Sequence, residues 1–536
     1  MKHSFYAKFF HENKTRIICY ILVICVASIQ KILVPHFYGK ILGHFNKNDY
    51  TQAQHSFYIL IGVWILFQSI EGIVNWFESR LIPNLQNSAR QYMGEIIIQK
   101  YKDDYRELDL GKLSSKMIKF PESNRELFSK TKTFVFTHFL GSMITLIYIF
   151  FLSWKLGIVV LLSFAIVLYI SYLFFKNCSK VALQREEIFD DTYEEIQDTF
   201  SNLIAIYTNR KEKDEIRRLK TFNDRCETQH VQSFHCVSFY RSIYSVLFML
   251  LFVGYNYVSF YLYEKNEISI SSLTSIFIIT YILLGNMMNF MNDTNAFIYS
   301  WTKMKSVFVE DYVPKNEEVL TPIDIQDYTI HIKNVSYAKI IHNISILIPP
   351  REHVLILGPI GSGKSTLVHL MYRLIPMNSE GGGHILIGGH DIQDLSIPQL
   401  RSLICFVPQS PKLFNRILEE NLKYGIEDSF NMERILEILD SVHLNKLASI
   451  FRKRQYEQVG KQGSYFSGGQ RQIIWIIKAI LGDFPIVILD EPTSSLDDTT
   501  RNAVLRLIRL YLTDRTVIII SHDKEMKHHV HRTIHL

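Results

Sequence analysis

Residues 354–366 read Val-Leu-Ile-Leu-Gly-Pro-Ile-Gly-Ser-Gly-Lys-Ser-Thr, a short apolar run followed by a glycine-spaced loop and then a helical stretch. A strand feeding GxxxxGK[ST] and a helix lets successive backbone N–H groups curl around phosphate oxygens, with the positive end of the helix dipole behind them. The pattern makes Gly358, Pro359, Ile360, Gly361, Ser362, Gly363, Lys364, Ser365 and Thr366 the expected phosphate cradle. Lys364 is expected to bridge the β- and γ-phosphates, and the Ser365 hydroxyl to coordinate Mg2+. The loop indicates a nucleotide and says nothing of its purpose.

Two further apolar runs end in polar residues. Ile486–Leu489 leads into Asp490 and Glu491, a buried strand whose tip would reach the metal through Asp490. Glu491 is then expected to orient and deprotonate an attacking water, as phosphoryl transfer to water requires. Its alternative is an ordinary helix-start carboxylate, which its position beside Asp490 argues against. Ile518–Ile520 runs into Ser521 and His522, whose imidazole could reach a γ-phosphate. Short β-rich runs, glycine turns and amphipathic helices surround these motifs, the pattern of a soluble α/β domain.

Upstream the chain changes character. Six apolar stretches, about 17–35, 57–77, 133–154, 156–175, 243–263 and 268–290, each approach the ~20 residues a helix needs to cross hydrocarbon. A soluble all-α core rarely holds six helices apolar on all faces. Hydrophobic residues make up 48% of the 536 and charged ones only 21%, which also excludes a disordered chain. The net charge of +6 could suggest nucleic acid, but its placement does not. Basic residues such as Arg80, Arg90, Lys100, Arg185, Arg210 and Arg217 crowd two long connections, about 78–132 and 176–242, and the third and fifth connections hold little beyond Lys155 and Lys265. The positive-inside bias puts both termini and the long loops in the cytoplasm. Met1–Asn13 has no small-residue cleavage site, so the first apolar run is expected to remain as a span. The division expected is a membrane domain at 1–310, a linker at 311–325 around Pro314, and a nucleotide-binding domain at 326–536.

The motifs together resemble the ABC transporters, and within them the half-size, exporter-type members. Phe466-Ser467-Gly468-Gly469-Gln470 looks like that family's LSGGQ signature with Phe for Leu. Pro408-Gln409 followed by Lys412-Leu413-Phe414 resembles its Q-loop, Ser495-Leu496-Asp497 its D-loop, and His522 its switch histidine. The resemblance implies a six-helix all-α transmembrane domain followed by an α/β P-loop NTPase domain. It implies an ATPase with ATP and Mg2+ as cofactors, Glu491, His522 and Gln409 as catalytic groups, and Ser365, Gln409 and Asp490 around the metal. Ser467, Gly468, Gly469 and Gln470 would cap the ATP of a second half-transporter, with Asp497 at the dimer contact. A homodimer is expected ahead of a heterodimer, in a lipid bilayer, moving an unknown substrate and binding no nucleic acid. Coupling contacts are expected near Tyr105–Leu110 and Leu203–Thr208. The rivals are an ATP-gated channel or regulator using the same closure, and a soluble ABC ATPase, which the spans oppose.

Departures from the family pattern leave some positions open. Tyr337 is the nearest adenine-stacking candidate, yet strict alignment puts Lys339 there, and Tyr337 could equally pack within its sheet. Arg351 replaces a turn glycine, and Lys478 stands where relatives usually have Arg. Glu71, within the second span, could face a cavity or sit at the interface. Asn286, Asn289 and Asn292 recur at helical spacing and are expected to bond neighbouring helices. His528, His529, His531 and His535 match no standard zinc spacing. The six cysteines, Cys19, Cys25, Cys178, Cys226, Cys236 and Cys405, form no CxxC pair and at least four fall in segments read as membrane or cytoplasmic, so neither a disulfide framework nor a zinc site is expected.

Overall fold

The structure is a computed structural model describing residues 4–102, 110–307, 321–338, 340–359, 361–377, 381–494 and 496–536. The chain forms two compact units, Met1–Lys100 with Leu108–Pro314, and Tyr101–Glu107 with Lys315–Leu536. Most of the expected linker, and all but Leu110 of the coupling contact expected near Tyr105–Leu110, lie outside the described residues.

The first unit is all helix: α1 (Ser4–Glu12), α2 (Lys14–Ala27), α3 (Gln30–Asn46), α4 (Tyr50–Lys100) and α5 (Leu110–Lys132). A π-helical segment, Thr133–Leu140, leads into α6 (Gly141–Leu152), followed by α7 (Trp154–Ser201), α8 (Leu203–Thr208), α9 (Glu212–Glu264) and α10 (Ile270–Val307). Among the described residues, six stretches are long and apolar enough to cross a membrane: Lys14–Asn46, Tyr50–Lys100, Leu113–Leu152, Trp154–Ser201, Glu212–Glu264 and Ile270–Lys305. Several outrun a bilayer. At 53 residues, α9 is about 80 Å long, against ~30 Å of hydrocarbon. Its polar half, beginning Glu212-Lys213-Asp214-Glu215, therefore belongs in water.

The packed core of α7, α9 and α10 includes Phe174, Tyr244, Tyr255, Ile276 and Ile279, each almost fully buried. Polar tips are satisfied between helices, as where Asn177 Nδ2 donates to the Tyr240 hydroxyl at 2.7 Å. Asn292 accepts from Arg241 on α9 at 3.3 Å, bonding neighbouring helices, whereas Asn289 and Glu71 lie exposed. The short helix α8 occupies the second expected coupling segment and leaves Ile204 and Tyr207 exposed.

One cysteine expectation fails. Cys178 on α7 and Cys236 on α9 are joined as a disulfide, with Cα atoms 5.8 Å apart and 58 residues between them in sequence. The long side-by-side packing of the two helices brings together two positions that no local spacing pairs.

The second unit holds two sheets. An antiparallel one has the order β2-β1-β4-β5, made of β1 (Ile330–Tyr337), β2 (Ile341–Ile348), β4 (Gly381–Ile387) and β5 (His390–Asp391). The other, of order β6-β7-β8-β3-β9, contains β3 (His353–Leu357), β6 (Ile404–Val407), β7 (Ile486–Asp490), β8 (Thr516–Ser521) and β9 (Arg532–His535). All its pairings are parallel. The central strands β3, β7 and β8 are buried at every position, as a sheet covered on both faces requires. Around them lie α11 (Lys364–Met371), α12 (Ile397–Leu403), α13 (Leu418–Lys423), α14 (Met432–Ser441), α15 (Asn445–Arg454), α16 (Gly468–Leu481) and α17 (Asp498–Tyr511).

Arg351 has φ +62, the left-handed conformation that favours glycine, and its N–H is held by Thr516 Oγ1 at 2.9 Å. His531 is occupied structurally, with Nδ1 accepting from the His353 N–H at 2.8 Å. No group of three or more metal-ligating side chains forms among the described residues.

Candidate functional site

Parallel strands end on the same edge of their sheet, and loops leaving that edge form the usual ligand crevice of an open α/β sheet. Here β7, β8 and β3 are neighbours, so Asp490–Glu491, Ser521–His522 and the loop at 358–363 converge although up to 164 residues separate Gly358 from His522 (522 − 358).

The loop turns through left-handed backbone at Gly361 (φ +86) and Gly363 (φ +90). A Cβ on Gly363 would also lie 2.9 Å from Ile341 Cγ1, so only glycine fits. Lys364, 8% exposed, folds back and donates to the Gly358 and Pro359 carbonyls at 2.8 and 2.9 Å. Ser365 and Thr366 follow in the first turn of α11, Ser365 exposed. Ile360 lies outside the described residues.

Asp490 is 5% exposed, and its Oδ1 has no hydrogen-bond partner. Burial pushes its carboxyl above the ordinary range, helped by the neighbouring Glu491 charge; a Ser365 hydrogen bond and Lys364 act against that. A buried carboxylate oxygen without a donor, beside a serine hydroxyl, is an all-oxygen donor set that fits a hard divalent cation such as Mg2+.

Glu491 is 8% exposed and has φ +47, uncommon for a residue with a side chain and typical of strained functional positions. Its N–H is fixed to the Ile520 carbonyl at 2.9 Å. Its Oε1 lies 2.9 Å from His522 Nδ1, and its Oε2 accepts from the Ser521 hydroxyl at 3.4 Å. Glu491 and His522 line one open cleft of about 590 Å³. Glu491, Gln409 and Gly468 line a smaller one of about 80 Å³. Sequence reasoning missed Ser521 as a partner of Glu491, and also Arg501, which ties Asp523 and Glu525 beside His522. Strand-end polar residues were the available signal for Ser521; none existed for Arg501.

The signature residues stand at the start of α16. Ser467 Oγ accepts from the Gln470 N–H at 3.2 Å and Gln470 Oε1 from the Ser467 N–H at 2.9 Å, a reciprocal capping box. Phe466 is 3% exposed and meets Phe451 edge-on, so the Leu-to-Phe departure is absorbed by the core. Ser467 and Gly468 are exposed and Gly469 is buried. Asp497 caps α17 by accepting from the Thr500 N–H at 2.9 Å; its neighbour Ser495 lies outside the described residues. Lys478 packs over Trp475 and Tyr424.

Tyr337 is packed into the sheet core. It is 7% exposed within the core under β1, paired in register with Ile341 and Gly381, and is not free to stack on a base. Lys339, the other candidate, lies outside the described residues. The expected result is that Tyr337→Phe leaves KM for ATP unchanged, while Tyr337→Ala costs about 3 kcal/mol of stability in the second unit. Thermal unfolding and initial-rate kinetics check the pair.

A six-span helical unit and a sheet edge of this construction, carried on one chain, define a multi-pass membrane ATPase. Residues 17–287 match the family described as the ABC transporter transmembrane region, and residues 341–494 the family described as ABC transporter. The chain belongs to the ABC transporter family, in its half-size exporter-type arrangement: an ATP-binding ATPase whose hydrolysis is coupled to transport across the membrane. It is 24% identical to ABC transporter B family member 26, chloroplastic, of Arabidopsis thaliana, over 95% of this chain and 74% of that protein. It is 24% identical to a multidrug resistance ABC transporter ATP-binding and permease protein of Lactococcus lactis, over 84% of this chain and 76% of that one. A 40% match to the mitochondrial iron-sulfur clusters transporter ATM1 of Candida albicans covers 34% of this chain and 24% of that protein. The solved structure of a bacterial Atm1-family ABC exporter with ATP bound has the same fold, with TM-score 0.85 and 17% identity over 98% of this chain and 93% of that one.

Proposed function

We propose that the chain is an exporter that works as a dimer, hydrolysing MgATP at two sites, each built from both copies. The observation that carries the reading is the pairing of Glu491, strained and buried, with His522 at 2.9 Å beside the unpartnered Asp490 oxygen. Lys364 and the loop N–H groups bind the phosphates. Asp490 and Ser365, with Gln409, would hold Mg2+, which when bound would supply positive charge against that developing on the phosphates. Glu491 takes the proton from the attacking water, and His522 holds the Glu491 carboxylate in position.

The exposed N-terminus of α16 supports the composite arrangement. Its N–H groups and the Ser467 hydroxyl suit a phosphate supplied by another copy. Contacts to the γ-phosphate from both sides give the closed state the differential affinity it needs. The C-terminal unit, both termini and the long loops are read as cytoplasmic from the basic residues of those loops. Export agrees with the names of the relatives, which include a glucan exporter and a lipid A-core flippase; those names do not favour an ATP-gated channel. A homodimer remains the reading preferred over a heterodimer.

Differently tagged copies test the composite sites. A dimer of Lys364→Met with Ser467→Arg keeps one site with both halves intact and is expected to hydrolyse ATP. A dimer of the double variant with the natural chain damages both sites and is expected to be inactive. The reverse pattern would mean that each site lies within one chain.

A further inference from the structure

The membrane unit contains a charge that none of the transport machinery above uses. Lys31 stands in the first turn of α3, just after the turn at Ser28–Ile29 between α2 and α3. Its ammonium donates to the Thr137 carbonyl of the π-helical segment, and its side chain lies over Gly141, where a Cβ would come within 2.5 Å of Lys31 Nζ. The turn at Ser28–Ile29 keeps right-handed helical backbone, and it faces a π-helical segment, a local irregularity that is frequent at functional sites. Ser28 ties the two together through Phe136, its hydroxyl 3.3 Å from that carbonyl.

A cavity of about 380 Å³ lies there, bounded by α3, α4 and α10, within the ~300–1,000 Å³ range of small-molecule sites. Its walls include Phe57, Leu60, Ile61 and Trp64, and its lysine is Lys31. Among the described residues no carboxylate pairs with Lys31. Asp293, bonded to the adjoining His138 at 2.9 Å, is already shared with Lys130 at 2.8 Å. A cation at an apolar wall without a counter-charge is costly in a bilayer, and such residues mark binding sites and pathways.

We propose that this cavity binds an amphipathic anion, with a phosphate or carboxylate head on the Lys31 ammonium and an apolar chain along Leu60, Ile61 and Trp64. The ligand is of one chemistry with two sources, a transported amphiphile or a resident acidic lipid. The proposal rests on the six-helix unit lying in a bilayer, as the transport reading does. Its test reads binding rather than turnover, so failure of one is distinguishable from failure of the other.

The full-length protein is placed in nanodiscs of zwitterionic phosphatidylcholine and titrated with a bromine-tagged dodecyl phosphate, which quenches nearby tryptophan. Saturable quenching in the natural chain that disappears in Trp64→Phe is expected. The equally tagged dodecanol, compared at equal membrane concentration, should need about tenfold more or higher, the loss of one charge-assisted bond. Lys31→Met should weaken the phosphate by a similar factor, and Lys31→Arg should restore it. Stimulation of ATP hydrolysis by the ligand identifies transported cargo; binding without stimulation identifies a resident lipid, and both keep the site. Equal binding of phosphate and alcohol by the natural chain would overturn the proposal without recourse to any variant. So would the absence of saturable quenching, the result if a second copy's helices cover the cavity.

Discussion

Glu491→Gln is expected to cut steady-state ATP hydrolysis by about 10²–10⁴-fold, the range that a positioned general base contributes, and to leave ATP binding intact. Glutamine keeps the volume of the side chain and can still hydrogen-bond His522, which sits 2.9 Å away. It cannot accept the proton of the attacking water. The left-handed backbone at Glu491 and its N–H bond to Ile520 are unaffected by the change, so the variant should fold as the natural chain does. Phosphate release by the purified variant in lipid, with nucleotide occupancy measured in parallel, checks both halves. Full turnover in the variant would remove Glu491 from the mechanism.

Lys364→Met should give the opposite signature, losing binding itself. Removing the cation that faces the phosphates is expected to weaken ATP by about 100-fold or more, within the range for truncating one member of a desolvated charge pair. The local loss is small by comparison, because of the two residues whose carbonyls Lys364 now occupies, Gly358 is half-buried and Pro359 exposed. Added ATP should raise the melting temperature of the natural chain and of Glu491→Gln, since ligand binding to the folded state stabilises it by mass action. The same addition should leave Lys364→Met unmoved. A Lys364→Met protein that still shifts with ATP would mean that the loop's N–H groups suffice to hold the phosphates.

The two variants separate the chemical step from the binding step, and their residues differ in how far the sequence revealed them. Lys364 was legible because a phosphate loop is a local object: its glycines, lysine and serine fall within nine consecutive residues. Asp490, Glu491 and His522 were legible as strand ends, since parallel strands buried on both faces appear as short unbroken apolar runs. The strain at Glu491 was not, because nothing in its neighbours' identities requires φ +47; its anchors are on β8, 29 and 30 residues away (520 − 491, 521 − 491). Tyr337 illustrates the limit of choosing a site residue by residue type and proximity along the chain. An aromatic near the expected place is core once β1 pairs with β2 and β4, and the pattern around it fits either role.

By itself the sequence determined the six apolar spans, the strand-end motifs and the signature at Phe466–Gln470, and with them the family. Each is short-range, written in periodicity, span length or residue spacing. Only the tertiary structure decided that Cys178 meets Cys236, that Arg501 braces the His522 loop, and that Lys31 stands over Gly141 at an apolar cavity. Those depend on which faces of long helices and distant strands come together, a choice made by packing across 58, 22 and 110 residues respectively (236 − 178, 523 − 501, 141 − 31), and one that no local pattern encodes.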